Sequence, residues 1–162
     1  ERVARERGIA DPVKARNMAR LAGGDLLELK HLVAGESDAL RKENFDLFCG
    51  LMRLSYNDKH LELVAWAEDA AQLSREQQRA FLRDAARLRE SYMLHAGIGE
   101  VCYLWGEELA FCTKFAPFIG SQNIEPLIGE IESALAQISQ NGNPTIVFTH
   151  FALAVSKMIK RL

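Results

Sequence analysis

From Ala39 onward, apolar residues recur at three- and four-residue steps and no stretch alternates convincingly at period two, so the pattern predicts consecutive helices. It is clearest at the carboxyl end. Ile124, Leu127, Ile128, Ile131, Leu135 and Ile138 fall on one side of a predicted helix, and that side must be buried; Ile131 and Leu135 are placed inside. Asn141-Gly142-Asn143-Pro144 follows, supplying a residue that tolerates positive φ, then a capping side chain, then a proline at a first helical position where no amide hydrogen is missed. The chain should reverse there into a last helix. Val147, Phe151, Ala154 or Val155, Met158 and Leu162 form its stripe, and Lys157, Lys160 and Arg161 suit the carbonyl end of its dipole. These two helices carry more large apolar positions, Phe148 and Phe151 among them, than one face of a terminal hairpin needs. Phe148 and Phe151 are therefore candidate partner contacts at the surface.

Upstream, Glu1 to Arg7 reads as the tail of a helix that Gly8 ends, and Asp11-Pro12 starts another. Gly23-Gly24 closes it, Asp25 caps a short helix to Val33, and Gly35-Glu36-Ser37-Asp38 makes a break. Phe45, Leu47-Phe48, Leu51-Met52 and Leu54 give the next helix a broad apolar face, closed by Ser55-Tyr56-Asn57-Asp58. Leu61, Val64, Ala65 and Glu68 continue in a second. Ser74 caps a third with Gln77 as its capping-box partner, and Phe81, Ala85, Leu88 and Tyr92 line its inner side to Gly97 or Gly99. Val101, Leu104-Trp105, Leu109 and Phe111-Cys112 suggest a fourth, ended by Pro117.

The C-terminal hairpin, together with Phe111-Cys112-Thr113-Lys114-Phe115-Ala116-Pro117-Phe118-Ile119 and Asn123-Ile124, resembles the C-terminal end of the delta-prime subunit family of bacterial DNA polymerase III, closest to the Bacteroides type. The likeness runs position by position from about Phe111, more weakly over the first forty residues, and as helical pattern between them. It implies an all-α helical bundle. Residues 1–36 would be the end of an AAA+ lid-like helical subdomain, and 37–162 a helical collar or oligomerisation domain. In that family the collars of five subunits pack into a ring that holds the clamp loader together while it places the sliding clamp on primed DNA during replication. The implied partners are the other clamp-loader subunits (delta, gamma/tau), with the further possibility of indirect contact with DNA. The rival reading is an unrelated all-α adaptor domain that docks a partner helix.

The lid alignment carries one functional consequence. Hydrolysing members of the superfamily place an arginine, the second sensor, where this chain has Leu26 and Leu27, and an aliphatic side chain cannot neutralise a phosphate. Alternatively, Leu26, Leu29 and Val33 are simply core residues of a short helix.

Bulk properties fit this reading. The 162 residues, 48% hydrophobic and 26% charged, suffice for a domain with a real core, and the net charge of −2 gives no global attraction to nucleic acid or anionic membrane. No apolar run approaches membrane-spanning length, and the three cysteines are an odd number at spacings that make no disulfide framework; a cytoplasmic location is expected. Opening on Glu1 within a charged helical pattern, the chain reads as an excised fragment.

No chemistry-bearing signature emerges. No glycine-rich run leads into Lys-Ser or Lys-Thr, and His31, His60, His95 and His150 lie on separate predicted helices without ligand-like spacing. Cys49, Cys102 and Cys112 sit among Phe, Leu and Trp as small core residues. The expectation is a non-catalytic domain with no cofactor, no metal, no small-molecule substrate and no membrane partner. Arg75, Arg79, Arg83 and Arg87 form a stripe at four-residue steps, either a plain solvated face or a docking face for an acidic neighbour or single-stranded nucleic acid. Glu76, Asp84 and Glu90 lie among them, and no aromatics interleave to stack bases.

Overall fold

The computed structural model describes residues 36–85, 87–98 and 106–159, and there the chain is an all-α helical bundle without strands. Its helices are α1 (Glu36–Tyr56), α2 (His60–Gln72), α3 (Arg75–Ala85), α4 (Leu88–His95), α5 (Gly106–Phe115), α6 (Ile124–Ser139) and α7 (Pro144–Ile159), with a 3₁₀ turn at Ala116–Phe118. The lid expectation for 1–36, with Leu26, Leu27 and His31, falls outside the described residues apart from the backbone of Glu36, as does Cys102. Among the described residues no helix is long and apolar enough to cross a membrane.

The last helix is the axis of the bundle. α7 packs against α1, α2 and α6, so a stripe on one side cannot satisfy it. Val147, Phe148, Phe151, Ala152, Val155, Ser156 and Ile159 are all buried, the distribution expected of a helix enclosed on several sides. Here the sequence reading needs correction: Phe148 and Phe151 are 0% and 1% exposed, and the apolar surplus assigned to partners is consumed by α1 and α2. Phe148 closes an aromatic triangle with Trp66 (6.1 Å) and Phe81 (6.1 Å), whose own rings lie 5.8 Å apart. The exposed large apolar residue of α7 is Ile146, at 68%.

The turn before α7 follows from its residues. Asn141 takes φ 62°, its amide donates to the Ile138 carbonyl, and the Gly142 amide donates to the Gln137 carbonyl at 2.7 Å, a Schellman closure of α6. A Cβ on Gly142 would stand 2.8 Å from that same carbonyl oxygen, so the position requires glycine. Asn143 Oδ1 then accepts from the Ile146 amide to start α7. On α6, Leu127, Ile131, Ala134 and Ile138 are buried, with Ile124, Ile128 and Leu135 half-buried around them.

Two further expectations are adjusted. α2 buries Leu63, Trp66, Ala67 and Ala70, while Leu61, Ala65 and Glu68 face solvent; the indole, donating from Nε1 to the Leu47 carbonyl, fixes the helix's rotation. Ser74 and Gln77 do form the reciprocal capping box of α3, at 3.0 and 3.2 Å. The long third helix, however, is two, because α3 ends at Ala85 and α4 begins at Leu88.

Candidate partner-binding site

α1 and α5 meet through side chains, in the same order along both helices. Arg41 meets Glu108 near the start of both, and Phe45 and Phe48 meet Phe111 further along, with ring centroids 5.8 and 6.0 Å apart. What joins them beneath the surface is a buried ionic cluster. Glu108 accepts from Arg41 Nε at 2.7 Å and from Arg41 Nη2 at 2.6 Å, a bidentate pair, and Arg87 Nη1 lies 3.5 Å from its Oε1. Arg87 also donates from Nε to the Asp84 carbonyl, approaches the Asp84 carboxylate at 3.8 Å, and lies 5.5 Å from the ring centroids of both Phe45 and Phe48. Asn44 donates to Asp84 Oδ2 at 2.6 Å. Burial pushes the Asp84 carboxyl above its usual range, against the opposing pull of Asn44, Arg87 and Arg41.

The break between α3 and α4 makes this possible. It turns Arg87 off the α3 stripe and into the protein, where its side chain is 6% exposed. The four arginines are therefore not one face. Arg75 donates from Nη1 to the carbonyls of Ile138 and Gly142, capping the carboxyl end of α6, Arg79 is half-buried, and Arg83 is exposed. The proposed docking stripe loses both of its ends to internal work.

Above the cluster, α1 and α5 leave an open groove of about 740 Å³. Its floor is Phe45, Cys49, Phe111 and Phe115, and its rims carry Asp46 and Arg53 on α1 with Glu107 and Lys114 on α5. Phe45, Cys49 and Phe115 are buried, Phe111 is half-buried and stacks on Phe115 at 5.7 Å, and the four rim charges are exposed. Burial raises the Cys49 thiol to about 11, so it is a protonated, weakly nucleophilic lining residue. The arrangement offers an apolar strip between charges and no nucleophile–base pair. Among the described residues no group of three or more His, Cys, Asp or Glu lies together as a metal set. His60 stands 3.5 Å from Asp58, and His150 3.5 Å from Glu130, both at the surface.

The groove residues were not singled out in the sequence reading. Their signal was present: Asp46 and Arg53, like Glu107 and Lys114, are an acid and a base seven residues apart. Only the pairing of α1 with α5, distant in sequence, gives those spacings meaning. Comparisons with protein-family models, curated proteins and solved structures yield no match.

Proposed function

We propose that this chain is a non-catalytic assembly module, the collar domain of a clamp-loader delta-prime subunit, which helps hold together the DNA polymerase III machinery that loads the sliding clamp on primed DNA. The observation that carries the protein-binding part is the α1–α5 groove, an open cleft above the buried Phe45, Cys49 and Phe115 and the half-buried Phe111, rimmed by exposed charges. The specific assignment rests on the resemblance, concentrated in Phe111–Ile119 and the α6–α7 hairpin. The delta and gamma/tau subunits are then its partners, and its place is the cytoplasm. Because Phe148 and Phe151 are spent on the core, contacts with neighbouring subunits fall to the groove and to exposed residues such as Ile146. The same groove favours the rival adaptor reading, in which the partner helix belongs to another system. The test is size-exclusion chromatography of the chain mixed with purified delta and gamma/tau subunits of its own source. Co-elution at a defined stoichiometry supports the collar, and separate elution of folded chain refutes it in favour of the adaptor.

A further inference from the structure

The turn between α6 and α7 contains a reactive pair that its own hydrogen bonds hold apart. The chain has six asparagines, and only Asn141 is followed by glycine. That is the pair in which a backbone nitrogen most easily attacks the preceding side chain, because glycine has no Cβ to hinder the approach. Asn141 is exposed, at φ 62°. The attacking nitrogen, however, is engaged: the Gly142 amide donates to the Gln137 carbonyl at 2.7 Å, the bond that closes α6. A second element secures it. Arg75, half-buried at the start of α3, donates from Nη1 to the Ile138 carbonyl at 3.1 Å and to the Gly142 carbonyl at 2.9 Å. One cation thus ties the last turn of α6 and the glycine to α3, satisfying carbonyls that a helix end leaves open. Swinging the Gly142 amide away from Gln137 disturbs those bonds as well, because nitrogen and carbonyl belong to one residue.

We infer that Asn141 is a site of spontaneous deamidation, held closed in the folded chain by the Gly142–Gln137 hydrogen bond with Arg75 as its latch. When the turn opens, the Gly142 nitrogen gives its proton to a base in solution and bonds to Cγ of Asn141. The side-chain amide nitrogen takes up a proton from water and leaves as ammonia. The cyclic succinimide then adds one water at either carbonyl, leaving aspartate or isoaspartate at that position. Water is the only co-reactant, and nothing is oxidised or reduced. Either product puts a negative charge at the carboxyl end of α6, where the helix dipole disfavours it. Isoaspartate also lengthens the backbone by one carbon, so the Schellman bonds do not re-form in register. The change is one-way and marks chains whose hairpin has opened. Asn143 is a built-in comparison, since Pro144 has no amide proton to lose.

The test follows deamidation at each asparagine by peptide mapping with tandem mass spectrometry, in mildly alkaline buffer with and without denaturing guanidinium chloride. In the buffer without denaturant, exchange of the Gly142 amide is followed by NMR. Both processes need that N–H off the Gln137 carbonyl. The factor by which folding slows deamidation of Asn141 should therefore equal the exchange protection factor of Gly142, within about threefold. Arg75→Ala should speed deamidation of the folded chain about tenfold, and Arg83→Ala, at an exposed residue of the same helix, should leave it unchanged. In denaturant Asn143 should change far more slowly than Asn141. No deamidation of Asn141 in denaturant overturns the site. Equal rates in folded and denatured chain, or slow deamidation unmatched by Gly142 exchange, overturns its closure by the turn. An Arg75→Ala chain that is folded by circular dichroism and deamidates no faster than the unaltered one overturns the latch. Should Arg75→Ala not hold its fold, Arg75→Lys is read by the same criterion.

Discussion

Removing the carboxylate of Glu108 should be among the most damaging single changes to this bundle outside its apolar core. The side chain is 11% exposed, and the two guanidinium groups around it, on Arg41 and Arg87, are 17% and 6% exposed. In Glu108→Ala the Arg41 fork loses its two hydrogen bonds to Glu108, and among the described residues Arg87 keeps the Asp84 carboxylate at 3.8 Å as counter-charge. Nη1 of Arg87 already has no hydrogen-bond partner among the described residues, so the variant leaves that edge with neither bond nor charge. Breaking a buried pair by deleting one member costs about 3–5 kcal/mol, and the residual Asp84 contact places this case near the lower end, about 3 kcal/mol. At about 2–4 °C per kcal/mol for a chain of this size, the melting temperature should fall by about 6–12 °C. Glu108→Gln, which keeps the shape and one acceptor, should lose roughly half as much. The assay is thermal and urea unfolding followed by circular dichroism, with Glu132→Ala as control, because the Arg89–Glu132 bridge lies at the surface. A Glu108→Ala loss no larger than that of the control would refute the view that the cluster is buried and coupled.

Three other outcomes follow from the packing. Phe148→Ala opens the Trp66–Phe81 contact and should cost about 3–5 kcal/mol in urea unfolding, while Ile146→Asp, on the outer side of the same helix, should leave the midpoint nearly unchanged. Gly142→Ala sets a Cβ against the Gln137 carbonyl and should destabilise by about 1–2 kcal/mol, read as a shift in the same midpoint. Because the folded state raises the Asp84 pKa, its contribution is fully present below the usual carboxylate value and is lost as pH rises through the folded value. The stability of the unaltered chain relative to Asp84→Asn should therefore decline from acid toward neutral pH, and a flat difference between parallel unfolding series would count against a desolvated Asp84.

How far the fold could be read in advance varies by element, for physical reasons. The α6–α7 turn was legible almost atom by atom, because Asn141, Gly142, Asn143 and Pro144 act through their own backbone and their immediate neighbours. The Ser74–Gln77 box was legible on the same ground. Rotation of a helix was harder. α2 offers apolar residues on more than one side, and tertiary contact with α7 chose the face of Leu63 and Trp66 over that of Leu61. The fate of α7 was harder still, since an excess of apolar residues marks either a partner surface or a helix enclosed by its own domain, and periodicity alone does not separate the two. The Arg75–Arg87 stripe looked uniform because no glycine or proline stands in the sequence between Ala85 and Leu88.

The ionic cluster and the groove are one construction. Phe45 lies 5.5 Å from the guanidinium of Arg87 and lines the groove, and Glu108, which holds Arg41 and Arg87, is adjacent on α5 to the rim residue Glu107. A hydrophobic interface between α1 and α5 would slide at little cost, because apolar contacts have no strong preference for register. A bidentate Arg41–Glu108 pair has one, and a shift of a single residue along either helix would break both of its hydrogen bonds. The buried pair therefore contributes more to the register of α1 and α5 than to net stability, since its desolvation offsets much of its attraction. An Arg41→Met, Glu108→Leu double variant should accordingly recover the part of the melting temperature that Glu108→Ala loses through Arg41, while the part lost through Arg87, which still lacks the Glu108 counter-charge, should remain.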